Sequence, residues 1–286
     1  MCRLFGLAAA PHRVHASFWL LEAPDSLVSQ SLRNPDGTGF GFFDPNGLPV
    51  LDKEPLAAFE DATFTREARH ISSTTFVSHI RYATTGAHTV PNTHPFAIDG
   101  RVFAHNGVLR GLDRLETELG DDLALVQGET DSERYFALVT REIRVNGGDV
   151  GAGLTTAARW IAQNLPVYSI NCLLATEHEL WAFRYPETHH LYVLEREAGG
   201  SRGEQELHHA STQLRVHSQH LAERPSVVVA SEPLDDHPGW RPIGSGELLH
   251  VGPELALDSA VAVDFPPAEL IHIDHPTGQP HASGSG

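Results

Sequence analysis

The order of the predicted elements constrains the fold of this chain most. β-branched, aromatic and alternating apolar residues predict strands in the first and last parts of the chain, and the two longest helical patterns fall between them. Regular alternation of strand and helix, which parallel sheets require, is absent. The pattern therefore predicts mixed α+β layers. The predicted strands are 3–10, 40–44, 49–53, 74–82, 101–105, 168–175, 179–185, 190–194 and 226–230, with short ones near 248–251 and 271–273; helices are predicted at 25–32, 61–70, after Thr130 and at 154–164.

Charge and cysteine usage exclude several classes of protein. The 286 residues carry 20 Lys+Arg against 37 Asp+Glu, a formal net charge of -17, which disfavours nucleic acid and anionic lipid as partners. Two cysteines cannot build a disulfide scaffold, and no apolar run is long enough to span a membrane. We expect one domain over residues 1–280, an appended tail at 281–286 and a cytoplasmic location.

A cysteine at position 2 is the most unusual single residue. Removal of the initiator Met1 would leave Cys2 with an α-amino group beside its own thiol. An α-amine has a pKa of about 8, so part of it is free base at neutral pH and can take the thiol proton. The alternative, a cysteine placed there by chance, is the better interpretation of this residue alone.

Three other segments could carry chemistry, and each also has a structural interpretation. Arg81 ends a predicted buried strand and could bind a substrate carboxylate through two hydrogen bonds or form a structural ion pair. Asn106 and Gly107 follow another strand and could supply an oxyanion hole or a simple turn. Asp131 starts a helix, with Thr130 as N-cap, and could bind an ammonium group or complement the helix dipole.

Taken together, the motifs resemble the class II glutamine amidotransferases, which are N-terminal-nucleophile (Ntn) hydrolases. The resemblance implies an Ntn-hydrolase-like αββα sandwich: four layers, with two mostly antiparallel sheets in the middle. Arg3 replaces the glycine usual beside the nucleophile, and Tyr82 stands where many relatives carry tryptophan. The matching segments are 1–6 (MCRLFG), 33–39 (RNPDGTG), 79–84 (HIRYAT), 92–96 (NTHPF), 105–107 (HNG), 130–133 (TDSE), 229–234 (VASEPL) and 239–240 (GW).

The resemblance also implies catalytic and binding roles. Cys2 would attack the side-chain amide of glutamine or of another γ-glutamyl compound and form a thioester. Asn106 and the Gly107 N–H would hold the oxyanion. Arg81 would bind the α-carboxylate of the substrate, and Asp131 would bind its α-ammonium group.

Further residues complete the expected site. Thr84 and Thr85 would line the loop over the glutamyl group, and Arg33 and His94 would orient this loop and the N-terminus. No metal or cofactor is expected, because the sequence has no His-Glu-x-x-His, no Cys-x-x-Cys and no P-loop motif.

Three hypotheses about function remain open. The chain could be a glutaminase subunit that passes ammonia to a separate synthase, since its length leaves no room for an attached one. It could be a stand-alone γ-glutamyl hydrolase, like that of ergothioneine biosynthesis. It could also be a catalytically silent γ-glutamyl-binding subunit. Assembly into a homo-oligomer is open in each case.

Overall fold

The computed structural model describes residues 2–32, 36–56, 58, 62–81, 89–198 and 224–273. Most of the described strands are long enough to pair over four or more residues. In chain order they are β1 (Arg3–Ala8), β2 (Val14–His15), β3 (Thr38–Phe43), β4 (Pro49–Glu54), β5 (Ser72–Ser73), β6 (Thr75–Ile80), β7 (Phe96–Ile98), β8 (Arg101–Leu109), β9 (Pro166–Ala175), β10 (Leu180–Phe183), β11 (Tyr192–Arg196), β12 (Ser226–Ala230), β13 (Arg241–Pro242), β14 (Glu247–Val251), β15 (Leu257–Val261) and β16 (Glu269–Leu270).

These strands form two large sheets. The first has the order β13-β11-β12-β1-β6-β3-β4, so the N-terminal strand β1 lies in its middle. The second has the order β15-β14-β10-β9-β8-β7, and the short β16 pairs with β9 in parallel. The strand pairs within the two main orders are antiparallel. A separate antiparallel pair joins β2 to β5.

Helices cover the outer face of each sheet. A π-helical turn, Phe18–Glu22, and α1 pack on the first sheet, and α3, α4 and α5 pack on the second. Helix α4 begins at the predicted Thr130 cap, whose hydroxyl accepts the Glu133 N–H at 3.2 Å. The α-helices are α1 (Leu27–Ser31), α2 (Ala62–His70), α3 (Leu112–Leu119), α4 (Asp131–Val145) and α5 (Val150–Asn164), and the 3₁₀ turns are Val90–Asn92 and Gly120–Leu125.

Three apolar clusters fill the spaces between the layers. One lies between the two sheets and includes Leu4, Val77, Ala104 and Leu173. The other two lie between each sheet and its helices. The structure therefore has the four αββα layers predicted from the sequence. No described helix is long and apolar enough to cross a bilayer.

Several sequence predictions about local structure are wrong or incomplete. The short strand predicted near 271–273 is absent, and the strand before it, β16, ends at Leu270. The strand predicted at 101–105 does not stop at Asn106 and Gly107 but continues as β8 to Leu109, because residues 106–109 pair with β9. The sequence does not predict α3, whose N-cap position is Gly111 at φ 72° with no side-chain cap. A helix that begins without a capping side chain gives little local signal.

Candidate active site

Cys2 immediately precedes the central strand of the first sheet. Because side chains alternate along a strand, Cys2 shares the face of Leu4, which packs between the two sheets. The Cys2 side chain is partly exposed, whereas the second cysteine, Cys172, is fully buried. Burial raises the pKa of the Cys172 thiol to about 12. The two thiols therefore differ sharply in accessibility.

Asn106 reaches Cys2 from the opposite sheet. Its side chain lies on the face of β8 that Ala104 also occupies, between the sheets, and is buried. The Nδ2 group donates a hydrogen bond of 3.0 Å to the Cys2 backbone carbonyl. The structure thus brings together two predicted site residues that are 104 positions apart in the sequence.

Gly107 offers a backbone N–H on the open side of β8. It pairs with Ile170 of β9, but the Ile170 N–H donates to the Tyr185 carbonyl on the other side of β9. The Gly107–Ile170 pair is therefore a non-hydrogen-bonded one, and the Gly107 N–H points away from β9. Within the described residues, β7 covers that side of β8 only as far as Phe103.

Asp131 is the first residue of α4 and lies beside the end of β8. At a register shift in β8, the Leu109 N–H donates to Asp131 Oδ2 at 2.8 Å. Oδ1 accepts the Ser132 N–H at 2.9 Å. Oδ1 also lies 3.3 Å from the Ser132 hydroxyl oxygen. A carboxylate has about four lone-pair sites, so these three contacts leave capacity for a further donor. The predicted carboxylate at the helix start is thus fixed next to β8.

His105 and Ser132 hold α4 against β8 by a contact that the sequence does not predict. The His105 Nε2 lies 3.1 Å from the Ser169 carbonyl and therefore donates to it, while Nδ1 lies 2.9 Å from the Ser132 hydroxyl. Burial lowers the pKa of His105, so the ring is neutral and accepts from Ser132. The motifs HNG and TDS contain both residues, but the sequence does not show that the two motifs are in contact in the fold.

Arg81 follows β6 and is buried. Its N–H donates to the Gly37 carbonyl at 2.8 Å, and its own carbonyl accepts the Asp36 N–H at 3.2 Å. Arg81 shares the inner face of the first sheet with Val77 and His79, by the alternation of β6. Its charge is therefore placed on the same face as Cys2.

His94 lies against His79 as a stacked pair of imidazoles. The ring centroids are 4.1 Å apart with an interplanar angle of 31°, and both side chains are buried. Among the described residues, no side chain forms a hydrogen bond with any of the four ring nitrogens. Burial first, and then the neighbouring His105 and Arg81, lower the pKa of His79 to about 3; burial also lowers the pKa of His94. Both rings are therefore neutral at physiological pH.

This neutral pair predicts acid sensitivity. In the unfolded chain His79 has its ordinary pKa of 6.5, so between pH 6.5 and about 3 the unfolded state binds the extra proton. The contribution of neutral His79 to the free energy of unfolding is therefore complete above pH 6.5. It falls as the pH drops, by about 1.4 kcal/mol per pH unit for His79 alone. Denaturant unfolding at pH 6.5 and 5 should show a weaker pH dependence for His79→Phe, and an unaltered one for the exposed control His178→Asn. An equal pH dependence in both variants would contradict the neutral pair.

The remaining predicted positions, Arg33, Thr84 and Thr85, lie outside the described residues. The structure brings Cys2 into contact with Asn106 and places Asp131 beside β8, while His94 contacts His79. Among the described residues, no group of three or more His, Cys, Asp or Glu side chains is arranged to hold a metal ion.

Comparison with known families decides the assignment. A family model for class II glutamine amidotransferases matches residues 1–259. The chain belongs to the class II glutamine amidotransferases. It is 28% identical over 262 residues to the gamma-glutamyl-hercynylcysteine sulfoxide hydrolase of Mycolicibacterium smegmatis, a match that covers 88% of this chain and 96% of that protein. It is 27% identical over 257 residues to a putative glutamine amidotransferase of Escherichia coli, covering 86% and 96%.

Solved structures of glutamine-dependent transferases share the fold. The glutamine phosphoribosylpyrophosphate amidotransferase from B. subtilis matches with a TM-score of 0.64 at 18% identity, over 93% of this chain and 50% of that one. This chain therefore spans half the length of that enzyme. A glutamine aminotransferase class-II domain protein from Silicibacter pomeroyi matches with a TM-score of 0.57 at 19% identity, over 92% and 100%. The predicted Ntn-hydrolase fold is confirmed.

Proposed function

We propose that this chain cleaves the γ-amide bond of glutamine or of a larger γ-glutamyl amide, with Cys2 as the nucleophile. The observation that carries the proposal is the contact between Asn106 and the Cys2 carbonyl across the two sheets. The amide of Asn106 has a second N–H, and the Gly107 N–H points to the side of β8 that β7 does not cover within the described residues. Two donors beside a thiol are what a tetrahedral acyl-transfer intermediate requires.

The chemistry follows from these groups. After loss of Met1, the α-amine of Cys2 takes the thiol proton, and the thiolate attacks the amide carbon. The carbonyl oxygen becomes an oxyanion, which Asn106 and the Gly107 N–H stabilise. The C–N bond then breaks, the leaving amine takes the proton, and a thioester remains. Water attacks the thioester, releasing the γ-carboxylate and restoring the thiol.

Opposite charges on two elements support recognition of an amino acid. In this proposal Arg81 pairs with the α-carboxylate, and Asp131 accepts from the α-ammonium group with its remaining lone pairs. Thr84 and Thr85 line the glutamyl loop, and Arg33 and His94 orient it; for Arg33, Thr84 and Thr85 the support is the sequence motif alone. His94 would act through His79, on which its ring stacks.

The leaving group distinguishes two versions of the proposal. A relative that matches along 96% of its own length is named as a gamma-glutamyl-hercynylcysteine sulfoxide hydrolase, which supports a stand-alone hydrolase acting on a larger amide. The alternative is an ammonia donor that uses glutamine and works with a separate ammonia-accepting synthase subunit. The first version expects a larger amine to be favoured, and the second expects glutamine to be the best substrate.

A substrate panel tests the proposal. Protein whose N-terminus is verified as Cys2 by intact mass is assayed for glutamate release from glutamine and from γ-glutamyl amides of larger amines. Asparagine, one methylene shorter, serves as the negative control for aspartate release. We expect glutamate from at least one γ-glutamyl compound and no aspartate. If no member of the panel yields glutamate, the catalytic proposal is wrong and the binding-subunit hypothesis replaces it.

A further inference from the structure

The segment after β12 continues the pairing of β1 to the start of the chain. β12 pairs with β1 up to Phe5 and Ala230. Beyond that pair, the Leu4 N–H donates to the Ser231 hydroxyl at 2.9 Å, and the Ser231 N–H donates to the Leu4 carbonyl at 3.1 Å. The residue that follows, Glu232, is thereby placed beside Arg3.

Arg3 bridges Glu232 and the carbonyl of Cys2. Its Nη2 lies 2.5 Å from Glu232 Oε1, and the side chains are 12% and 40% exposed, respectively. Its Nη1 donates to the Cys2 carbonyl at 3.3 Å. A guanidinium can serve both acceptors because its donors are fixed in a planar fork. The ion pair with Glu232 thus fixes the direction of the second donor.

The Cys2 carbonyl consequently receives two side-chain donors from opposite layers. Arg3 leaves β1 on the face of Phe5 and Leu7, toward the helices of the first sheet. Asn106 approaches from the second sheet, at 3.0 Å. Terminal residues are ordinarily poorly ordered unless they are tied down. Here Arg3 and Asn106 hold the backbone carbonyl of Cys2 from the two sides.

We infer that Arg3, locked by Glu232, is a positioning residue that fixes Cys2 in its reactive orientation. This inference rests on the proposed function, since it takes Cys2 as the nucleophile. Arg3 acts on the Cys2 backbone and not on the substrate, so its loss should affect kcat more than KM. Positioning of the Cys2 backbone would explain why this chain has arginine where the family usually has glycine.

Single and double substitutions test the inference. Misplacement of a reacting group by about 1 Å can reduce the rate ~100-fold, so we expect Arg3→Ala to lower kcat ~10–100-fold with KM nearly unchanged. Arg3→Lys keeps the positive charge but lacks the planar guanidinium with its two donors, so it should recover only part of the loss in kcat. Glu232→Gln should act in the same direction but more weakly. The double variant Arg3→Ala/Glu232→Ala should be no worse than Arg3→Ala, because the two residues act as one unit.

A second ion pair supplies a matched control. Arg159 Nη2 lies 3.2 Å from Asp264 Oδ1 on the outer side of the second sheet, and both side chains are exposed. Arg159→Ala and Asp264→Ala should leave kcat and KM unchanged. If the Arg3 and Glu232 variants behave like these controls while the wild type is active, the positioning inference is overturned and the proposed function stands.

Hydrogen exchange keeps the inference testable if the wild type proves inactive on every substrate. Inactivity would overturn the proposed function, whereas anchoring of the N-terminus can be measured without turnover. Arg3→Ala should then accelerate amide exchange in residues 3–8 relative to wild type and to Arg159→Ala. Unchanged exchange in those residues would overturn the anchoring role as well.

Discussion

Replacing Cys2 with alanine is expected to reduce glutamate release by at least about 10³-fold while leaving the fold intact, since loss of a nucleophile removes the covalent step. The Cys2 side chain lies at the edge of the inter-sheet core and is partly exposed, so alanine opens no large cavity. The residual rate would come from substrate binding and the oxyanion donors alone. Glutamate release, with circular dichroism to verify the fold, measures the effect.

Cys172→Ala is the matched control for this prediction. Cys172 is buried in β9 with its thiol pKa raised to about 12, and its sulfur lies 3.5 Å from the Tyr135 hydroxyl. It should keep nearly full activity, and iodoacetamide should label the wild type at Cys2 alone. Protein that retains Met1 should resemble Cys2→Ala, because the amide nitrogen of Cys2 cannot act as a base. Comparable rates for wild type and Cys2→Ala would rule out Cys2 as the nucleophile.

Replacing Gly107 with alanine should have the largest effect on stability. A Cβ at this position would lie 1.8 Å from the Ser169 carbonyl oxygen and 2.7 Å from His105 Nε2. Backbone oxygen cannot move aside cheaply, so β8 and β9 would have to separate where they position Asn106. We expect the free energy of unfolding to fall by more than about 3 kcal/mol, or the variant not to fold.

Gly151→Ala provides the comparison in denaturant unfolding. Gly151 lies in the first turn of α5, and the nearest atom to an added Cβ is Asp149 Oδ1 at 3.5 Å. Alanine there should be neutral or stabilising by up to about 1 kcal/mol, because it lowers the entropy of the unfolded chain. If Gly107→Ala were as stable as Gly151→Ala, the close packing of β8 on Ser169 would be wrong.

Local signals explain the sequence predictions that the structure confirms. Thr130 caps α4 because a hydroxyl at that position accepts the Glu133 N–H, an interaction within three residues. Glu133, three residues after this cap, does not reach back to the Thr130 N–H as it would in a capping box: its carboxylate accepts the N–H groups of Gln127 and Gly128 at 2.8 and 2.6 Å. A short-range motif was therefore identified, but its detailed bonding was decided by the loop before it.

Contacts between distant residues explain the predictions that failed or were missing. Polar residues at 105–107 indicate a strand end, but pairing with β9 satisfies their backbone groups and extends β8 to Leu109. Nothing near Arg3 in the sequence indicates Glu232, which lies 229 positions away and reaches it only because β12 pairs with β1. The pattern around His94 likewise gave no sign of its stacking on His79.

The sequence by itself determined the layered α+β class, and it predicted the reactive role of Cys2 and the segments from which the candidate site is built. These depend on periodicity, capping and covalent position, which are properties of neighbouring residues. Tertiary structure alone decided that Asn106 holds the Cys2 carbonyl, that the Gly107 N–H faces the open side of β8, and that Arg3 is locked by Glu232. Packing of the two sheets face to face sets the first contact, and antiparallel pairing within each sheet sets the other two. Strand register is fixed by long-range packing of the whole sheet.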